Sequence, residues 1–345
     1  MLLNALVGIV AAFAVSYALT QRFSQPGSRL YVLDHPNARS LHERPIPRGG
    51  GVAILAAVLA GGGVIVVAHG ADRLGWVATL ALVLAVVSFV DDRRGVSPGW
   101  RMATHVLVAL GVVAAGWYPD AIELPGARLL LDHVSSALIA VLFVVWMINL
   151  YNFMDGMDGF AGGMTVCGFG TLALAGVLAG SAEFAAANAV VAAAGAGFLR
   201  HNFPPARIFM GDAGSSTLGL FAAVASLWGA ASGVFPLWFA VLVFSPFIAD
   251  ATVTLLQRLL RGERVWEAHQ SHYYQRLVRL GLGHRKTVLL QYVLMLGCSL
   301  TALASLRAPA RSQWLLLAAW GLLYSVYFVA VALLEKRHGA ARRGS

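Results

Sequence analysis

The sequence predicts an all-α polytopic membrane protein of about 11 transmembrane helices, with its N-terminus periplasmic and its C-terminus cytoplasmic. Three observations predict this. Of 345 residues, 59% are hydrophobic and 12% charged, which is more apolar surface than a soluble core can hide. Eleven stretches approach the roughly 20 apolar residues that a bilayer-crossing helix requires. The basic residues fall unevenly between the segments joining those stretches, which orients the chain by the positive-inside rule.

The stretches run over 2–20, 50–68, 75–90, 102–118, 134–151, 160–180, 184–199, 213–231, 236–257, 287–306 and 313–334. No Lys or Arg precedes the first and no cleavage site follows it, so it is expected to remain as a span rather than act as a signal peptide. Only Gly180-Ser181-Ala182-Glu183 divides the sixth from the seventh. Threading the chain puts 21–49, 91–101, 200–212, 258–286 and 335–345 on one side, with 21 of the 25 Lys and Arg residues. Arg73, Arg128, Arg307 and Arg311 fall on the other. The net charge of +9 therefore reads as topology and attraction to anionic membrane lipid, and no nucleic-acid partner is expected. Cys167 and Cys298 lie within apolar stretches, so neither a disulfide framework nor a thiolate metal site is indicated.

The whole chain, 1–345, reads as one integral membrane domain without linker or repeat. On the outer side the longest connection is Pro119 to His133. Long loops retained in a compact domain usually carry function, so chemistry is expected in the cytoplasmic segments near 21–49, 91–101, 152–160, 200–212 and 258–286.

Carboxylates give the sharpest signal there. Asp91 and Asp92 end the third stretch, Asp155 and Asp158 follow the fifth, and Asp212 precedes the eighth. All five fall at span ends on the basic side, whereas a transporter tends to hold its ionisable groups near the midplane. Adjacent helical residues point about 100° apart, so Asp91 and Asp92 are expected to serve different roles. The segment Asn149-Leu-Tyr-Asn152-Phe-Met-Asp155-Gly-Met-Asp158-Gly159 adds amides and glycines that can approach a phosphate or cation. If that segment is helical, Asn152, Asp155 and Asp158 share a face.

Phe209-Met-Gly211-Asp212-Ala-Gly214-Ser215 opens a helix. Its Asp suits an N-cap, and a helix N-terminus also attracts phosphate that an Asp-bound Mg²⁺ can hold. His269 and His272 stand in the second long loop beside Arg258, Arg261 and Arg264. No third and fourth ligands suggest zinc, and a donor role toward a diphosphate suits them better. In the first loop, Arg39, His42 and Arg48 supply cations where an anionic headgroup would lie. Asp250 is the one carboxylate inside a stretch, and its structural and active-site roles are equally open.

These residues resemble the polyprenyl-phosphate N-acetylhexosamine-1-phosphate transferases. The markers are D-x-P-N-x-R-x-x-H from Asp34, the Asp91-Asp92 pair, N-F-M-D-G-x-D-G from Asn152, F-M-G-D-x-G-S from Phe209 and H-x-x-H-x-Y-Q-R-L from His269. The resemblance implies transfer of N-acetylhexosamine-1-phosphate from a UDP-sugar to undecaprenyl phosphate, with Mg²⁺ as cofactor (Mn²⁺ able to substitute) and release of UMP. It implies a bacterial inner-membrane enzyme with its site facing the cytoplasm, and a homodimer is common in similar proteins.

By the same resemblance, Asp212 holds the metal, Asp91 deprotonates the lipid phosphate, and Asp92 supports metal or lipid-phosphate placement. Asn152, Asp155 and Asp158 would position the nucleotide sugar. Asn202 and Phe209 match nucleoside contacts, and His269 and His272 would meet the diphosphate or sugar. His42 stands where the phospho-MurNAc-pentapeptide branch usually has Lys, and that branch has adjacent histidines where His269 and His272 are separated. These departures favour the branch that starts O-antigen, lipopolysaccharide and related surface glycans in cell wall biogenesis. The alternatives are the phospho-MurNAc-pentapeptide transferase itself and a lipid-linked-sugar transporter, for which only Asp250 and His105 offer mid-depth polar groups.

Overall fold

The computed structural model describes residues 2–28, 31–36, 41–42, 44–69, 72–264 and 269–341. Each predicted stretch lies on a helix or a bent helix pair. These are α1 (Leu2–Phe23), α2 (Gly50–His69), α3 (Asp72–Arg94), α4 (Pro98–Ala114), α5 (His133–Met154), α6 (Phe160–Leu178), α7 (Ala182–Asn202), α8 (Asp212–Ala231), α9 (Leu237–Val243) with α10 (Ser245–Leu260), α12 (Gly283–Ser305) and α13 (Ala310–Ala341). Among the described residues, nine helices are long and apolar enough to cross a membrane, and the α9–α10 pair makes ten. The remaining stretch, 102–118, corresponds to α4, which has 17 residues and stands at the short end of the roughly 17–25 that a span takes. Its start is set by Pro98 in the first turn, where a missing N–H costs nothing.

Two small antiparallel hairpins depart from the all-α expectation. β1 (Val32–Asp34) pairs with β2 (Ile46–Arg48), and β3 (Ala121–Leu124) with β4 (Ala127–Leu130). Strands of three or four residues carry too little alternation to be read from sequence. The first of them matters for function, because it folds the 21–49 loop back so that Asp34 and Arg48 meet.

α8 is the most buried of the long helices and forms the axis of the bundle. α3 and α5 pack along it, and α1 packs on α2 and α7. Large apolar side chains such as Leu107, Leu142, Val177 and Leu300 remain exposed around the outside, as expected where the surrounding solvent is lipid. α9 and α10 meet at 81°. Pro246 lacks the N–H needed to continue α9, and the Ser245 hydroxyl satisfies the Leu242 carbonyl at 2.7 Å.

The first turns of α2 and α8 touch, and glycine makes this possible. A Cβ on Gly51 would overlap the Gly214 backbone, which has no side-chain rotamer by which to yield. Gly51→Ala is therefore expected to destabilise the protein by roughly 1–3 kcal/mol through overpacking. A thermal melt in detergent checks this, and an unchanged midpoint would show that the two turns can part at no cost.

Candidate active site

The frame of the site is backbone. The Phe209 N–H donates to the Pro47 carbonyl at 2.8 Å, and the Gly50 and Gly51 amides donate to Phe209 and Met210 carbonyls at 3.0 and 2.8 Å. This stitch extends β2 alongside residue 209 and brings the N-terminal ends of α2 and α8 to one point. Both helix dipoles then present their positive ends there. Gly211, at φ 77°, makes the turn into α8 that a side chain would resist.

Around this frame lies a cleft of about 370 Å³ lined by Asp34, Leu41, His42, Arg48, Asp155, Gly156, Met157, Asp158, Asn202, Phe209, Gly211, Asp212, His269, Gln275 and His284. Arg48 organises its acidic side. One guanidinium nitrogen meets Asp92 Oδ1 at 3.2 Å and the other meets Asp34 Oδ1 at 2.7 Å. Asp92 Oδ2 accepts the Asp212 N–H at 3.0 Å, so Asp92 caps the start of α8 from a different helix. Burial, with Asp212 and Asp92 adding their negative charge, pushes the Asp155 carboxyl well above the usual carboxylate range.

Asp91 turns away from its neighbour, as the helical geometry predicts. It accepts the Val96 N–H at 2.6 Å and pairs with Arg101 at 2.9 Å. It is not among the residues lining the cleft. Asp91 and Asp92 therefore face two different cations, Arg101 and Arg48.

The 152–159 segment is not one helical face. α5 ends at Met154 with Asp155 as its C-cap, and Gly159 at φ 73° turns the chain into α6. Asn152, still on α5, donates to Ser215 Oγ at 3.0 Å. Asp158 accepts the Ala206 N–H at 2.9 Å and meets His284 Nδ1 at 3.1 Å. Asn202 is only 4% exposed. It takes the Gly159 N–H on its oxygen and donates from its nitrogen to the Ile208 carbonyl, each at 2.9 Å. Its first role is thus to tie two loops together, while one edge still borders the cleft.

Phe209 forms a wall, with the His42 ring edge-on at 4.9 Å between centroids. His269 lines the cleft, whereas His272 is 2% exposed and lies behind it, the two rings tilted by 35° with centroids 4.7 Å apart. Burial, then His272 and Arg258, lowers the His269 pKa to about 4. It is therefore an uncharged hydrogen-bonding group at neutral pH. Arg39 lies outside the described residues.

The site also contains groups outside the set predicted from sequence. Asp34 pairs with Arg48 and Arg101 with Asp91, Gln275 lines the cleft, and His284 meets both Asp158 and, at 3.3 Å, the Leu41 carbonyl. Asp34 stood in a noted motif, and its partner follows from the hairpin. His284 stands outside every motif noted in the sequence. The two polar residues weighed for a transporter are used within the fold. His105 is within 3.1 Å of Asn149, and Asp250 bonds to the 272–274 segment. Among the described residues, no three His, Cys, Asp or Glu side chains are gathered closely enough to form a metal cage of protein alone.

A model of the family described as glycosyl transferase family 4 matches residues 74–230. The chain is 31% identical over 314 residues to a probable undecaprenyl-phosphate N-acetylglucosaminyl 1-phosphate transferase of Bacillus subtilis (strain 168), covering 88% of this chain and 86% of that protein. It is 31% identical over 327 residues to a decaprenyl-phosphate N-acetylglucosaminephosphotransferase of Mycobacterium tuberculosis (strain ATCC 25618 / H37Rv), with 84% and 79% covered. A phospho-N-acetylmuramoyl-pentapeptide-transferase of Lacticaseibacillus paracasei is 26% identical over 294 residues, with 78% and 88% covered.

Proposed function

Because the chain belongs to glycosyl transferase family 4, we propose that it moves N-acetylhexosamine-1-phosphate from a UDP-sugar onto a polyprenyl phosphate such as undecaprenyl phosphate, releasing UMP. The observation that carries this reading is the meeting of Asp155, Asp212, Arg48, Phe209 and His269 in one cleft at the basic end of an apolar bundle. A water-soluble nucleotide sugar and a lipid-tethered phosphate can react only at such a boundary. N-acetylglucosamine is the proposed sugar, because the relatives at 31% identity are named for it. The product starts a lipid-linked surface glycan. The names of these relatives give sugar and lipid alone, and nothing in them supports the narrower expectation of O-antigen or lipopolysaccharide.

Mg²⁺ suits the donor set. It commonly takes one or two carboxylates and completes its shell with water and substrate phosphate, so the lack of a third close protein ligand among the described residues is compatible with it. The residues proposed to hold it are Asp212 and Asp92, and the crowding that lifts the Asp155 pKa is what a cation would relieve. Bound there, Mg²⁺ or Mn²⁺ would neutralise phosphate charge and help orient the transferring group.

The chain's own residues supply the rest. Phe209 offers a flat face for the uracil ring, with Asn202 at its side. Asp155 and Asp158 border the nucleotide sugar, supported by Asn152, and His269 gives it an uncharged hydrogen bond, with His272 behind. Arg48 and His42, with Arg39 from the same loop, balance the diphosphate, while Arg48 keeps Asp92 aligned. Asp91, held by Arg101 and the Val96 amide, takes the proton from the lipid phosphate. The freed oxygen attacks the sugar-bearing phosphorus in line with the departing UMP oxygen. The distribution of Lys and Arg supports eleven spans, an outside N-terminus and a site on the cytoplasmic side of the bacterial inner membrane. A homodimer is the assembly proposed from the resemblance.

Purified protein supplied with Mg²⁺, undecaprenyl phosphate and a panel of UDP-N-acetylhexosamines is expected to release UMP, fastest with UDP-GlcNAc. A folded sample that releases none with any donor would overturn the reading.

A further inference from the structure

One buried acid near the site takes no part in the steps above. Asp250, on α10, is 3% exposed. Its Oδ1 accepts the Tyr273 N–H at 3.0 Å, the Thr254 hydroxyl at 3.2 Å and His272 Nδ1–H at 3.2 Å. Its Oδ2 accepts the Tyr274 N–H at 2.9 Å. Three of these four donors come from one stretch of chain, and that stretch carries His269 and Gln275 to the cleft.

The stretch cannot hold itself. Its helix, α11 (Tyr273–Leu277), has five residues and runs into the 278–282 turn, where Gly281 at φ 98° breaks the helical path before α12, so it lacks the length at which a helix is stable alone. The first N–H groups of any helix lack internal partners, and here two of them end on Asp250. The outer side of α11 is fastened separately. Arg276 pairs with Glu335 of α13, with one bond at 2.8 Å, and lies 4.2 Å over the Tyr273 ring.

From Asp250 the restraint passes to the cleft by two routes. The His272 ring, fixed by its Nδ1–H bond, backs His269 at 4.7 Å. Tyr274 reaches across to the Phe153 carbonyl at 3.1 Å and fills the space that a side chain at residue 156 would need. It therefore registers the Gln275 wall against the segment that bears Asp155 and Asp158.

We propose that Asp250 is a positioning residue for the nucleotide sugar: by gathering His272, Tyr273 and Tyr274 onto one carboxylate, it sets His269 and Gln275 against the opposite wall of the cleft. The proposal rests on the transferase reading. Its effect falls on donor binding, because the anchored wall carries no acid and Asp91 and Arg101 do not line the cleft that it borders.

Asp250→Asn keeps the shape but sets an amide N–H₂ against the Tyr274 N–H, leaving a buried donor unpaired. The donor KM and the dissociation constant of UMP, measured by calorimetry, are each expected to rise about tenfold. The KM for polyprenyl phosphate should stay within about twofold, and kcat should change less than the donor KM. A merely structural residue would lower the melting temperature without this split. Should Asp250→Asn fail to fold, Tyr274→Phe carries the same test, since it removes the hydroxyl that binds the Phe153 carbonyl and also meets Gly156 and Gln275, and it should raise the donor KM selectively. A folded variant with unchanged donor KM, or one whose loss lies wholly in kcat, overturns the proposal. If the wild-type protein releases no UMP, the transferase reading falls and takes this proposal with it. If the wild type turns over and the variant matches it, only the role of Asp250 is lost.

Discussion

Asp212→Asn is expected to reduce UMP release by roughly 10²–10³-fold while the protein folds normally. Asn matches Asp in shape, and Asp212 is not the cap that the sequence suggested, since Gly211 holds the N-cap position of α8 without a side-chain cap bond, so the turn at Gly211 and the opening of α8 should persist. The backbone bond from residue 212 to Asp92 does not involve the altered side chain. What the substitution removes is a negative charge on the cleft wall, where the proposed metal would be held against the diphosphate. A thermal melt establishes that the fold is intact, and a Mg²⁺ titration of the residual rate should show a higher requirement. Undiminished Mg²⁺-dependent turnover would move the metal site away from Asp212.

The second large effect is expected at Arg48. Its planar fork reaches Asp34 and Asp92 at once, linking the first loop to the end of α3. Lysine keeps the charge but presents one compact ammonium, which cannot span both acids in the same way. Arg48→Lys is therefore expected to lower kcat/KM by about 10–100-fold, the lower bound reflecting a guanidinium that is partly open to solvent. Asp34→Asn should produce a smaller loss in the same direction. If the two changes act through one bridge, the double variant should lose less than the product of the single losses. Independent losses that simply multiply would show that the bridge does not act as a unit.

The outline of the bundle was legible because span length and charge asymmetry are properties of whole segments. Each stretch from 2–20 to 313–334 has its helix, and even the weak division at Gly180 separates α6 from α7. The convergence of Asp155, Asp158 and Asp212 followed from the same reasoning, since ends of spans on one side must lie near one plane. The opposed directions of Asp91 and Asp92 followed from helical pitch. Pairings across long separations were not legible. Nothing local to His284 indicates that it meets Asp158, and nothing near Asp250 indicates that three of its four partners are 22 to 24 residues away. A short hairpin carries no periodic signal, so the Asp34–Arg48 pair also required coordinates. His272 illustrates a subtler limit, because a motif shows that two histidines are near one another but not which stands in front.

The bridge from His284 to the Leu41 carbonyl joins residues 243 positions apart. During synthesis at about 5–20 residues per second, roughly 12–50 s separate the emergence of the two. For that interval the amino-terminal two-thirds of the chain can be inserted in the bilayer while one border of its reaction chamber is still being made. Competence is thus gained late in biogenesis, and a ribosome-bound fragment that already carries all five aspartates of the motifs should remain unable to close the chamber until its twelfth helix begins to emerge.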